Sequence, residues 1–533
     1  MKSIIKFIIF PSILLMVSAC TNLDEQLKGD LTKDISLAGV GGGTTGGATS
    51  VLSAAYAELR NTGSANHGAY YSVQSITSDE MCIAAKGGDW FDGGILVELH
   101  RHTFTPTHAF IRDTWNGHYG AINTCNELLK KGGLDASQVA QVRALRAYFY
   151  MRLMDSYGNV KIITSPGVDA PQATRAAAFS FIESELLAAI GVSKIETGLN
   201  LSTSPLGATP NANSINVYGA LGIIAKLYLN AEVYVGTKRY DEAALAAGYI
   251  IDSGVYRLCG DGCKVPNLGK RAAVPTDPTD LEGYAAVFAP NNENNPENIF
   301  TIFYDQVTGG GMNFSQMNLH YSSQFTYNFQ DQPWNGYATL EEFYNSYSDT
   351  DVRKKNNFLV GPQLDFGGSA ILDYASDDGD LQLNYTPKIN ELAPNSKREA
   401  GARAAKFSFK QLGRNEMNND YPIVRLGEMY LVRAEARARA ASNNWAMALP
   451  DVNLIRARAK VSSYTTLDAN EFLKERGREM FQEGIRRTDL IRFGKFNDAW
   501  WEKPVSQAFR NIFPIPQDAI NASAGTLKQN PGY

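Results

Sequence analysis

The chain has 533 residues, 44% hydrophobic and 20% charged, which is ordinary globular composition and enough for one large body or two to three average domains. Its net charge of −5 leaves no basic footprint and argues against a nucleic-acid partner. Five cysteines and six histidines over this length leave little material for thiol, metal or cofactor chemistry, so neither a metal nor a cofactor is expected.

Lys2 and Lys6 form a positive n-region, and residues 7–17 are an apolar run too short to span a bilayer. Val17-Ser18-Ala19-Cys20 fits a bacterial lipobox, so residues 1–19 are read as a lipoprotein signal peptide and Cys20 as the lipidated N-terminus of the mature chain. Each buried CH₂ of an acyl chain contributes about 0.8 kcal/mol, and two or more chains anchor firmly. Residues 20–50 read as a lipidated tether, with glycine-linker composition at 39–47 (GVGGGTTGG) and no Lys-Ser/Thr ending of a phosphate loop.

A helix is expected over 51–60, after which GGDWFDGG at 87–94 breaks the periodicity and displays Trp90 and Phe91 between Asp89 and Asp92 on a turn-forming frame. His100, His102, His108 and His118 follow within nineteen residues, the first two able to share one face of a strand. No HExxH or familiar zinc spacing accompanies them, so they are read as structural histidines hydrogen-bonded in a packed region. A helix with Tyr119, Ile122, Cys125 and Leu129 on one stripe begins near Trp115.

Helical hairpins come next: 139–157 with 179–190, 217–234 with 240–252, and 424–441 with a helix through Trp445, Val452, Ile455 and Ala459. A further helix runs over 471–484. Alanines at Ala243, Ala244 and Ala247 are the small-residue pattern of the second helix of a tetratricopeptide repeat, where helices approach closely. The fold class expected is all-α, a tetratricopeptide-like helical-hairpin scaffold with a large irregular, loop-rich insertion. The scaffold occupies 51–256, with a ligand loop near 87–94, and is completed by 421–533.

Residues 257–420 form the insertion, where helical stripes fade and Asn, Gly, Asp and aromatics accumulate. Cys259 and Cys263 bracket CGDGC, a loop that an oxidising exterior can close as a disulfide if the geometry allows. A sugar offers a flat C–H face for an aromatic ring and a rim of hydroxyls needing partners. Tyr321, Phe325, Trp334 and Tyr337, mixed with Asn318, Gln324, Asn328, Gln330, Asp331 and Asn335, supply both kinds of group, although part of this set must form the insertion's own core. No enzyme is expected. The acidic runs at 377–380 and 349–351 read as solvated turns, no GxSxG motif or nucleotide loop is present, and the Glu and Arg residues of 475–492 read as helical ion-pair networks.

The C-terminal segments RLGEMYLVRAEARA, FLKERGREMFQEGIRRTDLIRFGKF, FPIPQDAI and LKQNPGY resemble, in order and spacing, the signature of the SusD/RagB family of nutrient-binding outer-membrane lipoproteins. The glycine run at 39–47 departs from that family. The resemblance implies an oligosaccharide-capturing subunit held by its lipid at the outer membrane, on the cell surface of a Gram-negative bacterium. It also implies a partner, a SusC-like TonB-dependent β-barrel over which the subunit sits as a hinged lid. The implied ligand site joins Asp89, Trp90, Phe91 and Asp92 to Tyr321, Phe325, Trp334 and Tyr337. Two readings stay open beside the glycan one: a peptide-binding subunit of the same kind of importer, and a helical-repeat scaffold that docks only protein. Cys20→Ala is expected to abolish acylation and release the protein from membrane fractions; normal membrane retention would sink the lipoprotein reading.

Overall fold

The computed structural model describes residues 51–373 and 381–533. The signal peptide, Cys20, the tether with its glycine run, and the acidic run at 377–380 lie outside these residues.

The scaffold helices are α1 (Ala109–Lys131), α2 (Ala136–Tyr157), α3 (Arg175–Ile190), α4 (Val217–Leu229), α5 (Tyr240–Asp252), α6 (Leu426–Ala440), α7 (Leu449–Arg458), α8 (Ala469–Met480) and α9 (Arg486–Arg492). Local chemistry sets where several begin. Asp135 and Gln138 form a reciprocal capping box on α2, while Thr174, Asn216 and Asp468 accept backbone N–H groups at the starts of α3, α4 and α8. From α1 to α7, each helix packs on the next, and α5 packs on α6 across the whole insertion. This is the expected all-α hairpin stack, and the insertion leaves from one side of it without interrupting the stack.

Three local expectations change. The helix expected over 217–234 ends at Leu229, because the Asn230 amide donates to Lys226 O at 2.9 Å, and a short helix Ala231–Val235 restarts beyond it. The helix expected from residue 424 begins at Leu426: Tyr421–Arg425 is a buried strand (β2) paired antiparallel with Asn298–Ile302 (β1). His100 and His102 do not share a strand. The glycines after Asp92 open into a short helix, Ile95–Arg101, that carries His100 and is closed by His102 in the left-handed region. Each of the four histidines is buried with a ring nitrogen 2.7–3.0 Å from a backbone carbonyl oxygen. Burial holds His100 down to about 4, hence neutral.

The insertion is a set of two-stranded pairs and short helices; most of its buried apolar residues join the scaffold in one core running from Leu52 to Leu527, and Ile371, Leu383 and Tyr385 form a small cluster of their own. The strand pair Met81–Cys82 with Ala338–Thr339 ties it to the N-terminal region. Gly222 of α4 lies so close to Val424 that a β-carbon there would collide with it, which lets the β1–β2 ribbon lie on the helix. Cys259 and Cys263 are paired as a disulfide, with Cα atoms 5.3 Å apart. Among the described residues, no helix is long and apolar enough to cross a membrane.

The Glu and Arg residues of α8 do form an ion-pair network, but it runs between distant segments and is buried. Glu479 accepts from Arg425 at 2.7 Å, from Arg353 at 3.0 Å, and from Arg458. Glu475 is paired with Arg353, Arg456 and Arg478 at 2.7–2.8 Å. Glu297, within the insertion, joins Arg425 and Arg458, and Glu483 joins Arg425 and Lys406. Asp351 is not in a solvated turn: it is buried, caps the helix Val352–Asn357 and pairs with Arg353, while Asp349 beside it is exposed. Breaking one member of such a buried set costs about 3–5 kcal/mol, because the partner is left as an uncompensated charge.

The network sets an acid limit on the fold. Burial alone would raise the Glu475 carboxyl, but Arg353, Arg478 and Arg456 outweigh it and bring it down to about 2; burial opposes and Arg492 chiefly depresses Glu435, also to about 2. Unfolded glutamate titrates near pH 4.3, so the unfolded chain binds more protons below that value. The stability these groups contribute is present above about pH 4.3 and is lost progressively as the pH falls toward 2. Urea unfolding at stepped pH is expected to show this decline; a flat profile across the window would refute it.

Candidate functional site

The loop at 87–94 is built by its glycines. Lys86 and Asp89 exchange backbone hydrogen bonds across Gly87-Gly88, at 2.8 and 3.2 Å. A strap at 392–396 fixes this hairpin from outside, with Leu392 O accepting from Ala85 N and Pro394 O accepting from Gly87 N. Beyond the turn, Trp90, Asp92, Gly93 and Gly94 all have positive φ, so the chain coils tightly and turns Phe91 outward, 47% exposed.

The second segment, 316–337, reaches the same place from the insertion. Gln316 O accepts from Trp334 N, Leu319 O from Asn335 N, and Met317 O from Gly336 N and Tyr337 N, so residues 334–337 are laced to the turn before them. Trp334 is left with 47% of its surface open. Two bonds then join the segments across more than 230 residues of chain. The Trp90 indole N–H donates to Trp334 O at 2.7 Å, and the Tyr321 hydroxyl donates to Asp89 Oδ2 at 2.6 Å. Burial, then the Asp89 carboxylate, push the Tyr321 phenol up to about 12, so at neutral pH it is a donor that holds the loop.

The eight candidate side chains therefore divide by role. Phe91 and Trp334 both present exposed rings, Phe91 next to Trp90 in the chain and Trp334 bonded to it through its carbonyl. Trp90 is half-buried, packed edge-on against His67 at 5.4 Å between ring centres, and spends its N–H on the Trp334 carbonyl. It is a bracket, where the sequence suggests a free loop-tip ring. Asp89 is tied to Tyr321, and Asp92 is exposed at the coil. Phe325 is 56% exposed one turn beyond Tyr321, and its carbonyl accepts from the backbone N–H of Phe366, another exposed ring.

Tyr337 is a correction. It is fully buried, its hydroxyl 2.7 Å from Ser72 Oγ and 3.2 Å from His67 Nδ1, because residue 337 is already the first turn of chain entering the β-pair with Met81–Cys82. It offers no face to a ligand and supports His67, and through it Trp90, from beneath. Asn318 and Asn335 are likewise buried, each donating to a backbone carbonyl, whereas Asn328, Gln330 and Asp331 are exposed.

His67, the 392–396 strap and Phe366 carry no pattern that singles them out in isolation. Phe366 had one available signal: Asp365-Phe366-Gly367-Gly368 repeats the Asp-aromatic-Gly-Gly chemistry of the first loop. Lys86 sits buried beneath the hairpin with its ammonium on Ala84 O, and burial, then Arg403, bring it down to about 7. Among the described residues, no group of three or more His, Cys, Asp or Glu side chains could hold a metal ion. A cleft of about 530 Å³ lies beside Arg271 and Tyr327, and the exposed aromatic rings form a surface platform.

A stacked-helix scaffold thus carries exposed aromatic rings on its 87–94 loop and on the loop-rich insertion. Residues 277–533, nearly half of the chain, match the SusD family. The chain is 24% identical over 440 residues, 74% of this chain and 73% of the relative, to the starch-binding protein SusD of Bacteroides thetaiotaomicron. Among solved structures it is similar to surface glycan-binding protein A from Bacteroides thetaiotaomicron, with TM-score 0.66, 22% identity, and coverage of 90% of this chain and 98% of that one. It is also similar to a laminarin-binding SusD-like protein, with TM-score 0.64, 23% identity, and coverage of 91% and 98%. These likenesses establish the shared fold.

Because Trp90 packs on the core and holds Trp334, Trp90→Ala is expected to cost about 1–3 kcal/mol of stability in urea unfolding, through lost packing and one lost hydrogen bond. An unchanged unfolding curve would return Trp90 to the role of a free ring.

Proposed function

We propose that the protein is a lipid-anchored, cell-surface glycan-binding subunit that captures oligosaccharides and passes them to a SusC-like TonB-dependent outer-membrane transporter. The observation that carries this reading is Trp334, a ring open to solvent on a backbone pinned by Trp90 and by the Gln316 turn. A fixed backbone presents the ring at a set place, which lowers the ordering cost of stacking at a shallow site. The exposed rings of Phe91, Phe325 and Phe366 supply further faces; Asp92, Asn328, Gln330 and Asp331 supply hydrogen-bonding groups for hydroxyls.

The names of similar proteins support the ligand class: one relative is starch-binding, and one similar solved structure, with TM-score 0.65, is a surface glycan-binding protein A in complex with laminarihexaose. Two or three stackings on an open surface correspond to roughly micromolar to millimolar affinity, suited to capture followed by release. The reading assigns the protein no catalytic step.

Calorimetric titration against a panel of soluble glycans tests it. For whichever glycan binds, Trp334→Ala is expected to cost about 1–3 kcal/mol, roughly five- to a hundred-fold in affinity, with little change in melting because the ring is exposed. Equal binding by the variant would remove Trp334 from the site, and binding of peptides with no glycan would overturn the ligand class. Extraction from membranes in mild detergent is expected to bring a large β-barrel protein along; recovery of the chain alone under several detergents would overturn the transporter half of the proposal.

A further inference from the structure

Two strand pairs join the insertion to the rest of the fold, and a buried acid stands at one end of each. Asp420 directly precedes β2, where Tyr421 pairs with Ile302 of β1. Glu80 directly precedes Met81–Cys82, where Met81 pairs with Thr339. Asp420 is 0% exposed and Glu80 1%. Asp420 knits the end of its ribbon: Oδ1 accepts from Tyr304 N at 3.2 Å, and its backbone N–H and carbonyl bond the Asn292 side chain at 2.8 and 2.9 Å. Glu80 does the same for its pair, its carbonyl accepting from Leu340 N at 3.1 Å and its Oε1 from Gln482 N at 3.3 Å.

Neither acid has a cation for a partner. Asp420 Oδ2 is buried without a hydrogen-bond partner, and the charged group that bears on it is another carboxylate, Glu293. The Asn213 side chain facing it gives its oxygen to Thr301 Oγ1 at 2.6 Å. Around Glu80 stand Asp79, Arg486, Lys406 and the Tyr71 phenol. Both cations there are taken: Arg486 holds Asp79 at 2.6 and 2.7 Å, and Lys406 holds Glu483. A carboxylate buried in either place would lack a counter-charge, whereas the protonated acid is uncharged and costs far less to bury.

We infer that the two joins form a pH-responsive latch: Asp420 and Glu80 are neutral acids in the fold, and their ionisation at alkaline pH loosens the strand pairs that hold the insertion. The second join also roots the aromatic platform, since Ala338 follows the Trp334 segment in the chain and Cys82 precedes the loop at 87–94.

The direction of the effect follows from the two states. Burial chiefly pushes both carboxyls up, to about 8, whereas unfolded Asp and Glu release their protons near pH 3.9 and 4.3. The stability these two groups allow is therefore complete below about pH 4 and is lost as the pH rises through about 8. That is opposite in direction to the arginine-paired glutamates.

Asp420→Asn and Glu80→Gln keep the shape of each side chain and remove its titration. Urea unfolding of the wild type and of each variant is compared from about pH 5 to about pH 9; the other titrating groups are common to all, so the differences isolate the two acids. Each variant's folding constant is expected to rise relative to the wild type by up to about tenfold per pH unit until about pH 8, then to level off. Hydrogen exchange read by mass spectrometry is expected to quicken at Met81–Cys82 and Tyr421–Arg425 above about pH 8 in the wild type, beyond the intrinsic base-catalysed increase, and not in the double variant. If a variant fails to fold, the wild type decides alone: its infrared spectrum is expected to hold the carbonyl band of a protonated carboxylic acid at neutral pH, fading as the pH is raised. Absence of that band, variants whose stability runs parallel to the wild type at every pH, or unchanged exchange at the strand pairs overturns the proposal.

Discussion

The structure depends on a buried charge set whose centre is the contact between Arg425 and Glu479. Arg425 is the last residue of β2 and Glu479 lies in the last turn of α8, so their 2.7 Å contact closes the C-terminal hairpins onto the strand that starts them. Both side chains are fully buried, as are Arg353 and Glu297, which reach the same point from the insertion. Gly427 is required beside them: a β-carbon there would run into Arg425, Glu297 and Glu479. Ion pairs of this kind are poor sources of net stability compared with apolar packing, but they penalise any arrangement that leaves one charge alone. Their effect is to admit one arrangement of the insertion on the scaffold.

That arrangement positions the platform. Lys406, bonded to Glu483 and to the Glu479 and Phe481 carbonyls, anchors the chain three residues after Arg403. Arg403, fully buried, donates to Tyr337 O and to Arg398 O. Arg398 O in turn accepts from the Asn335 amide, and Asn335 is the residue after Trp334. Hydrogen bonds and short stretches of chain thus link the charge set to the backbone that carries Trp334. The loops of the site are irregular in secondary structure and nonetheless rigidly referenced to the helical stack, the condition for a preorganised surface.

Of the site, chemistry was legible and geometry was not. Asp89-Trp90-Phe91-Asp92 stands out because neither helical nor strand periodicity accounts for two aromatics between glycines, and the aromatic-amide mixture of 318–337 stands out for the same reason. Which aromatic faces solvent is a different matter. Trp90 and Trp334 look equivalent in sequence, yet one is the bracket and the other the open ring, and Tyr337 is core because it directly precedes the strand pair of Ala338–Thr339 with Met81–Cys82. The structural histidines were legible from the want of any ligand spacing, but their helix was not, since it depends on consecutive positive φ values after Trp90.

The sequence by itself determined the all-α scaffold, the hairpin pairs and the family resemblance. Those features rest on periodicity, capping and composition, which are local and survive without knowledge of partners. Only the tertiary structure decided that 421–425 is a strand, that Asp351 is buried, that Glu475 and Glu479 of α8 pair with Arg353 more than a hundred residues away, and that Trp90 holds Trp334. Each of these turns on a contact between segments far apart in the chain. A β-strand partner, a counter-charge or a hydrogen-bond acceptor exists only once the fold has brought it there.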